Sequence, residues 1–113
     1  MHELQVARNI IEIVTREMTE RNLSGVREVG LRLGTLSGVN ADALSFGFEA
    51  ATLNTALKGT RLEIKLSPAG ARCKACNKEF EIQDWNFVCP QCNSTDTELT
   101  SGDELEITHI IEG

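Results

Sequence analysis

Apolar residues recur at three- and four-residue steps near the start of the chain: Leu4, Ala7, Ile10, Ile11, Val14 and Met18. That period puts them on one face of a helix over residues 3–22. Arg8, Glu12, Arg16, Glu17 and Glu20 fill the other face, with Glu12 and Arg16 one turn apart. Asn22 and Ser24-Gly25 end the pattern. The helix is expected to begin almost at the first residue, with no leader, which holds the N-terminus on a rigid element. The period then drops to two. Val29, Leu31 and Leu33 alternate with Glu28, Gly30 and Arg32, a strand over 26–34. After the turn-rich stretch 35–40, Asn40 is placed to cap a second helix over 41–57, with Leu44, Phe48, Ala51 and Leu57 inward and Lys58-Gly59 closing it. A second strand over 61–66 sets Leu62, Ile64 and Leu66 against Arg61, Glu63 and Lys65, and Pro68 and Gly70 stop it. A last strand over 104–111 alternates Leu105, Ile107 and Ile111 with Glu104, Glu106 and Thr108. The same alternation puts His109 with the apolar residues, as a partly buried strand histidine.

Between the last two strands the alternation gives way to cysteines. Cys73-Lys74-Ala75-Cys76, twelve residues, then Cys89-Pro90-Gln91-Cys92 uses all four cysteines of the chain. Two such knuckles in tandem point to a closed tetrahedral zinc site rather than to disulfides or a redox pair. A site of that kind holds a fold together and does no chemistry of its own. Phe80, Ile82, Trp85, Phe87 and Val88 are the expected interior of the small module. The last strand is too short to stand alone and must join the earlier sheet. The fold class expected is therefore α+β: two helices packed on a small, about three-stranded sheet, with an inserted four-cysteine zinc-ribbon-like module. The boundaries are 1–70 plus 101–113 for the first domain and 71–100 for the zinc-binding domain. Ser67–Ala71 and Asn93–Asp103 are expected to be flexible attachments that permit relative motion.

The chain has 113 residues and a net charge of −6. Its cysteine block holds Arg72, Lys74 and Lys78 against Glu79, Glu81, Asp84, Asp96 and Glu98, and metal-bound thiolates add more negative charge. Nucleic-acid binding needs cations for phosphates, so no nucleic-acid partner is expected. No apolar run approaches the roughly 20 residues that span a bilayer, and Glu3 and Glu12 interrupt the N-terminal apolar region, so neither a membrane span nor a signal peptide is expected. With no export signal expected, the thiols would sit in a reducing compartment and bind metal, and a cytoplasmic location is the expected default. Catalytic groups are few: two histidines, no tyrosine, no nucleophile elbow and no phosphate loop. The chain is not expected to be an enzyme.

His2 has different surroundings from His109. Its imidazole, its own backbone nitrogen and the α-amine of Met1 can close fused chelate rings around one ion. Amine, deprotonated amide and imidazole suit Ni(II) or Cu(II), which accept square-planar nitrogen donors, whereas Zn(II) prefers a tetrahedron. The fourth position is open to the Glu3 backbone nitrogen, the Glu3 carboxylate, a partner or water. Taken alone, the residues do not choose between this site and an ordinary surface histidine.

Met1-His2-Glu3-Leu4 at the start, the spacing Cys73-x2-Cys76-x12-Cys89-Pro90-x-Cys92, and Gly102-Asp103-Glu104-Leu105-Glu106-Ile107 after it resemble the hydrogenase nickel-incorporation factors, the HypA/HybF family. The resemblance covers the whole chain. It implies a nickel metallochaperone that loads Ni(II) for [NiFe]-hydrogenase, and in some bacteria serves urease maturation proteins. It also implies a partner GTPase (HypB) and the hydrogenase large subunit as acceptor. By the same resemblance His2 is the essential nickel ligand, with Met1 and Glu3 near or on the metal, and Cys73, Cys76, Cys89 and Cys92 hold structural zinc. Two other readings compete: a zinc-ribbon interaction module with no nickel role, and a thiol redox switch in which oxidation ejects zinc.

Overall fold

A computed structural model describes residues 2–113. Eight elements follow in order: α1 (Glu3–Glu20), β1 (Val26–Gly34), α2 (Ala41–Thr52), β2 (Arg61–Ser67), β3 (Gly70–Cys73), β4 (Glu79–Glu81), β5 (Thr97–Ser101) and β6 (Leu105–Glu112). They build two three-stranded sheets, in the orders β2-β1-β6 and β4-β3-β5. The molecule is elongated, 54 × 25 × 16 Å.

The helical face read from α1 is the one it buries, through Val6, Ala7, Ile10 and Val14, although Leu4 at its start is 46% exposed. Asn40 caps α2 as expected, its side chain accepting a hydrogen bond from the Ala43 N–H at 2.9 Å. The helix stops at Thr52, short of residue 57. The Thr52 hydroxyl donates back to the Phe48 and Glu49 carbonyls, and the Thr55 N–H then folds the chain onto the Thr52 carbonyl. A side chain that competes for the helical carbonyls weakens the last turn. Leu57 reaches the core from this turn instead of from a helix.

β1 runs parallel to β2, which α2 connects, and antiparallel to β6. Its alternation works as read. Val29 and Leu31 pack under α1 and α2 with Phe48, Leu44 and Leu57, while Glu28, Gly30 and Arg32 line the face without helices. β6 departs from the expected alternation. Its register passes from Gly30 opposite His109 to Leu31 opposite Ile107, leaving Thr108 as an extra residue. This bulge flips the faces. Ile107 and Ile110 pack toward the core, whereas His109 turns to the outer face over Gly30. There its Nε2 meets Glu28 Oε2 at 2.9 Å. A Cβ on Gly30 would lie 2.0 Å from the His109 ring, so the imidazole occupies the place of a side chain. Glu28 is only 9% exposed and is held from the other side by Arg61 of β2. One carboxylate thus ties both edge strands across the central one.

The second sheet went unread in the sequence, and its interior differs from expectation. Ala69, Ala71 and Ile82 are its buried residues, with Phe80 and Leu36 packed beside them. Trp85, Phe87 and Val88 are exposed at 67%, 39% and 37%. Strands of three to five residues leave room for small side chains only. The attachments are also tighter than expected. β5 occupies much of 93–103. The Leu36 N–H donates to the Gly102 carbonyl and the Gly34 N–H to the Glu104 carbonyl, both at 2.7 Å, and the Ser67 hydroxyl bonds Glu104 Oε2 at 2.8 Å.

Candidate metal centres

The four cysteine sulfurs lie within 4.8 Å of one another. Cys73 Sγ and Cys92 Sγ are 3.6 Å apart, Cys76 Sγ and Cys89 Sγ 3.7 Å. A zinc–sulfur bond of about 2.3 Å in a regular tetrahedron sets neighbouring sulfurs about 3.8 Å apart. A disulfide would need about 2.05 Å. The spacing fits a divalent ion of zinc's size and excludes a bond between the thiols.

The two knuckles share one construction. In each, the residue after the second cysteine is an asparagine in the left-handed region, Asn77 at φ 62° and Asn93 at φ 60°. Its N–H returns to the carbonyl of the first cysteine, Asn77 to Cys73 at 2.8 Å and Asn93 to Cys89 at 2.9 Å. Asparagine tolerates that backbone better than most residues. Each first cysteine also donates its own N–H to a carbonyl five residues on, Cys73 to Lys78 and Cys89 to Ser94. β3 carries the first knuckle and the approach to β5 the second. Cys73 and Cys89 are buried, while Cys92 is exposed. Burial pushes the Cys89 thiol up, but the N–H groups of Cys92 and Gln91, together with the Cys76 and Cys92 sulfurs, bring it down to about 7. At Cys92 the Ser94 N–H favours the thiolate. The hydrogen bond with the Cys73 sulfur, burial, and the Cys76 and Cys89 sulfurs outweigh that and push Cys92 up to about 12. Adjacent thiols that cannot all ionise together in the free protein are the set a divalent cation relieves.

His2 is the N-cap of α1 and is exposed. Its carbonyl accepts the first two helical hydrogen bonds, from the Gln5 and Val6 N–H groups, both at 3.1 Å. Its imidazole makes no capping bond. Glu3 Oε2 accepts from the Asn40 N–H at 3.2 Å, and this bond holds the Glu3 carboxyl below the usual carboxylate range. Met1, the third residue named for this site, lies outside the described residues. Asn40 escaped the sequence reading as a neighbour of the site. Its capping signal was legible, but its proximity to Glu3 depends on how α1 packs against α2. Asn77 and Asn93 could have been found, because an asparagine follows both cysteine pairs.

A profile of the family described as hydrogenase/urease nickel incorporation, metallochaperone, hypA, matches residues 1–111. The chain belongs to the HypA family. The hydrogenase maturation factor HypA of Roseiflexus sp. strain RS-1 is 41% identical over 111 residues, covering 97% of this chain and 90% of that one. The HypA of Geobacter metallireducens is 36% identical over 110 residues, covering 97% of both chains. The solution structure of the Ni metallochaperone HypA from Helicobacter pylori superimposes with a TM-score of 0.71 at 21% identity, covering 99% of this chain and 97% of that one. A second HypA solution structure gives 0.74 at 22% identity. These neighbours share the fold. The family is one of metallochaperones for hydrogenase maturation, and this member carries a four-cysteine metal-binding group.

Proposed function

We propose that this chain carries Ni(II) at its N-terminus and hands it to the maturation of a [NiFe]-hydrogenase, with zinc in the four-cysteine centre. The observation that carries the reading is the family match from the first residue, with His2 exposed at the head of α1 and its imidazole free of a capping bond. The ligands would be the Met1 amine, the His2 amide and imidazole, and Glu3 through its backbone nitrogen or carboxylate. The local backbone supports this. The first helical bonds end on the His2 carbonyl, so the amides of His2 and Glu3 lie ahead of the ladder. Losing a proton there breaks no helical hydrogen bond. A site at a helix start is open on one side, so an acceptor can compete for the ion. The partners expected are the GTPase HypB, the hydrogenase large subunit and, in organisms that have them, urease maturation proteins, all in the cytoplasm. The division into residues 1–70 plus 101–113 and residues 71–100 would separate the nickel-carrying part from the zinc-carrying part.

The test is a Ni(II) titration of tag-free, zinc-loaded protein beside His2→Ala, read by calorimetry and visible absorption. Wild type should bind about one nickel with a square-planar spectrum and His2→Ala should not. Equal binding by both, or by neither, sinks the site. Nickel competes with protons for an amine, an amide and an imidazole, so moving from about pH 8 to about pH 6 should weaken binding severalfold.

A further inference from the structure

Trp85 is the only tryptophan of the chain, and neither core packing nor the turn it sits in accounts for it. It is 67% exposed, so it does not fill the small core. It also sits at φ 59°, directly after Asp84 at φ 52°. A bulky residue in the left-handed region is strained, and the turn would form more easily with glycine or asparagine there. The turn therefore does not explain the tryptophan either. Strain held in a fixed loop points to a use for the side chain it presents. The loop is fixed: the Asn86 N–H donates to the Gln83 carbonyl at 3.0 Å, the Val88 N–H to Asn86 Oδ1 at 3.0 Å, and the Thr97 hydroxyl to the Phe87 carbonyl at 2.7 Å.

The ring does not stand alone. The Phe87 ring lies 6.4 Å from it, tilted by 53°, and Val88 beside it is 37% exposed. From Glu79 to Val88 the chain holds Glu79, Glu81 and Asp84 and no lysine or arginine. Among the described residues, Glu81 and Asp84 make no ion pair. An indole face attracts a cation, and a neighbouring carboxylate accepts a guanidinium at two points. A second copy of this chain is a poor occupant, since it would set two acidic loops against each other.

We propose that Trp85, Phe87 and Val88, with Asp84 at their edge, form a docking surface on the cysteine-bearing part of the molecule for a partner segment that carries arginine beside large apolar side chains. The surface is independent of nickel, and its test needs none.

The probe is a labelled short peptide alternating arginine and leucine, titrated with the full zinc-loaded chain and followed by anisotropy. Emission of the single tryptophan gives a second signal, a blue shift on burial. The comparison peptides replace arginine by glutamate, or leucine by serine. The arginine–leucine peptide should bind and both others should bind at least about tenfold more weakly. Trp85→Gly should lose about tenfold in affinity while keeping its zinc and an equal or higher melting midpoint, because glycine relieves the backbone. Asp84→Asn should lose about threefold, an effect that salt removes. Equal binding of the glutamate peptide or of the serine peptide overturns the proposal. So does undiminished binding by Trp85→Gly, or a lower melting midpoint or lost zinc in that variant, which would make the ring structural. Self-association of the wild type that Trp85→Gly abolishes also overturns it, in favour of a second copy.

Discussion

The two three-stranded sheets of this molecule are held together by different physics. Among the described residues, the sheet β2-β1-β6 shares a cluster of ten buried apolar residues with α1 and α2. The sheet β4-β3-β5 has three, two of them alanines. Burying a large aliphatic or aromatic side chain is worth about 1.5–3 kcal/mol, so the first sheet has a hydrophobic reason to fold and the second scarcely does. The second compensates with four thiols converging on one point. A metal bound by the folded state alone turns binding energy into folding energy. The lesson is a division of labour. The hydrophobic body presents His2, exposed, at the head of α1, and the cysteine body spends its polar groups on holding itself together.

The largest expected effect breaks the molecule along that line. Stripping the metal with a strong chelator, or replacing Cys73 with serine, should collapse β3, β4 and β5 while α1, α2 and the first sheet persist. Structural zinc contributes about 10–16 kcal/mol in small metal-folded modules, far beyond what Ala69, Ala71 and Ile82 supply. Amide protection measured residue by residue is the readout. Protection should vanish at Ala71 and Cys73 and remain at Val14 and Val29. If both regions lose protection together, the hydrogen bonds of Leu36 to Gly102 and Gly34 to Glu104 make the two sheets one cooperative unit.

A smaller effect sharpens the comparison from the other side. Gly30→Val should destabilise the first sheet by about 1–3 kcal/mol, because the new side chain must expel the His109 ring and strip Glu28 of one of its two partners. The metal content of the four-cysteine group should not change. Gly47→Ala is the control: its added carbon meets Leu4 and Ala7 no closer than 3.7 Å, and alanine favours the helix. Denaturant midpoints of the two variants should move in opposite directions. Equal midpoints would mean that the outer-face cluster adds nothing to the sheet.

The same division explains what could be read from the sequence. Where burial organises the chain, periodicity shows it. α1, the alternation of β1, that of β2 as far as Ile64, and the joining of the last strand to the earlier sheet were all legible, because long amphipathic runs leave a periodic trace; Leu66, grouped with Leu62 and Ile64, is 56% exposed. Where a metal organises the chain, spacing shows the ligands and nothing else. β3, β4 and β5 are too short to alternate, and Trp85 was assigned to an interior because a small module normally has too few large side chains to leave one outside. The remaining misses are single-residue events with long-range consequences. Thr52 ends α2 by bonding backward, and one extra residue at Thr108 transfers His109 to the opposite face. His2 and Glu3 were singled out as candidate donors from residue chemistry. The Asn40 N–H on Glu3 was not, because it joins groups 37 positions apart.

The smallest expected effect separates the sheets by acid. Arg61 first, and His109 after it, hold the Glu28 carboxyl below its ordinary value. The unfolded chain binds that proton more readily, near a pKa of about 4.3, so the folded state gains stability from the ionised carboxylate above that pH. The gain is lost as the pH falls through the lower, folded value. Glu28→Gln removes this dependence. Its stability should run closer to flat below about pH 4.3 where the wild type declines, with the two curves offset at neutral pH by the lost ion pairs. The cysteine body should already have released its metal by then, because metal binding competes with protons for the thiolates at higher pH. Acid titration followed at Ala71 and at Val29 would then show two separate steps, with only the lower one sensitive to Glu28→Gln. A lower step indifferent to that substitution would assign the acid response of the first sheet to its other carboxylates, Glu104 first among them, which the Ser67 hydroxyl and the Gly102 N–H hold low in the same way.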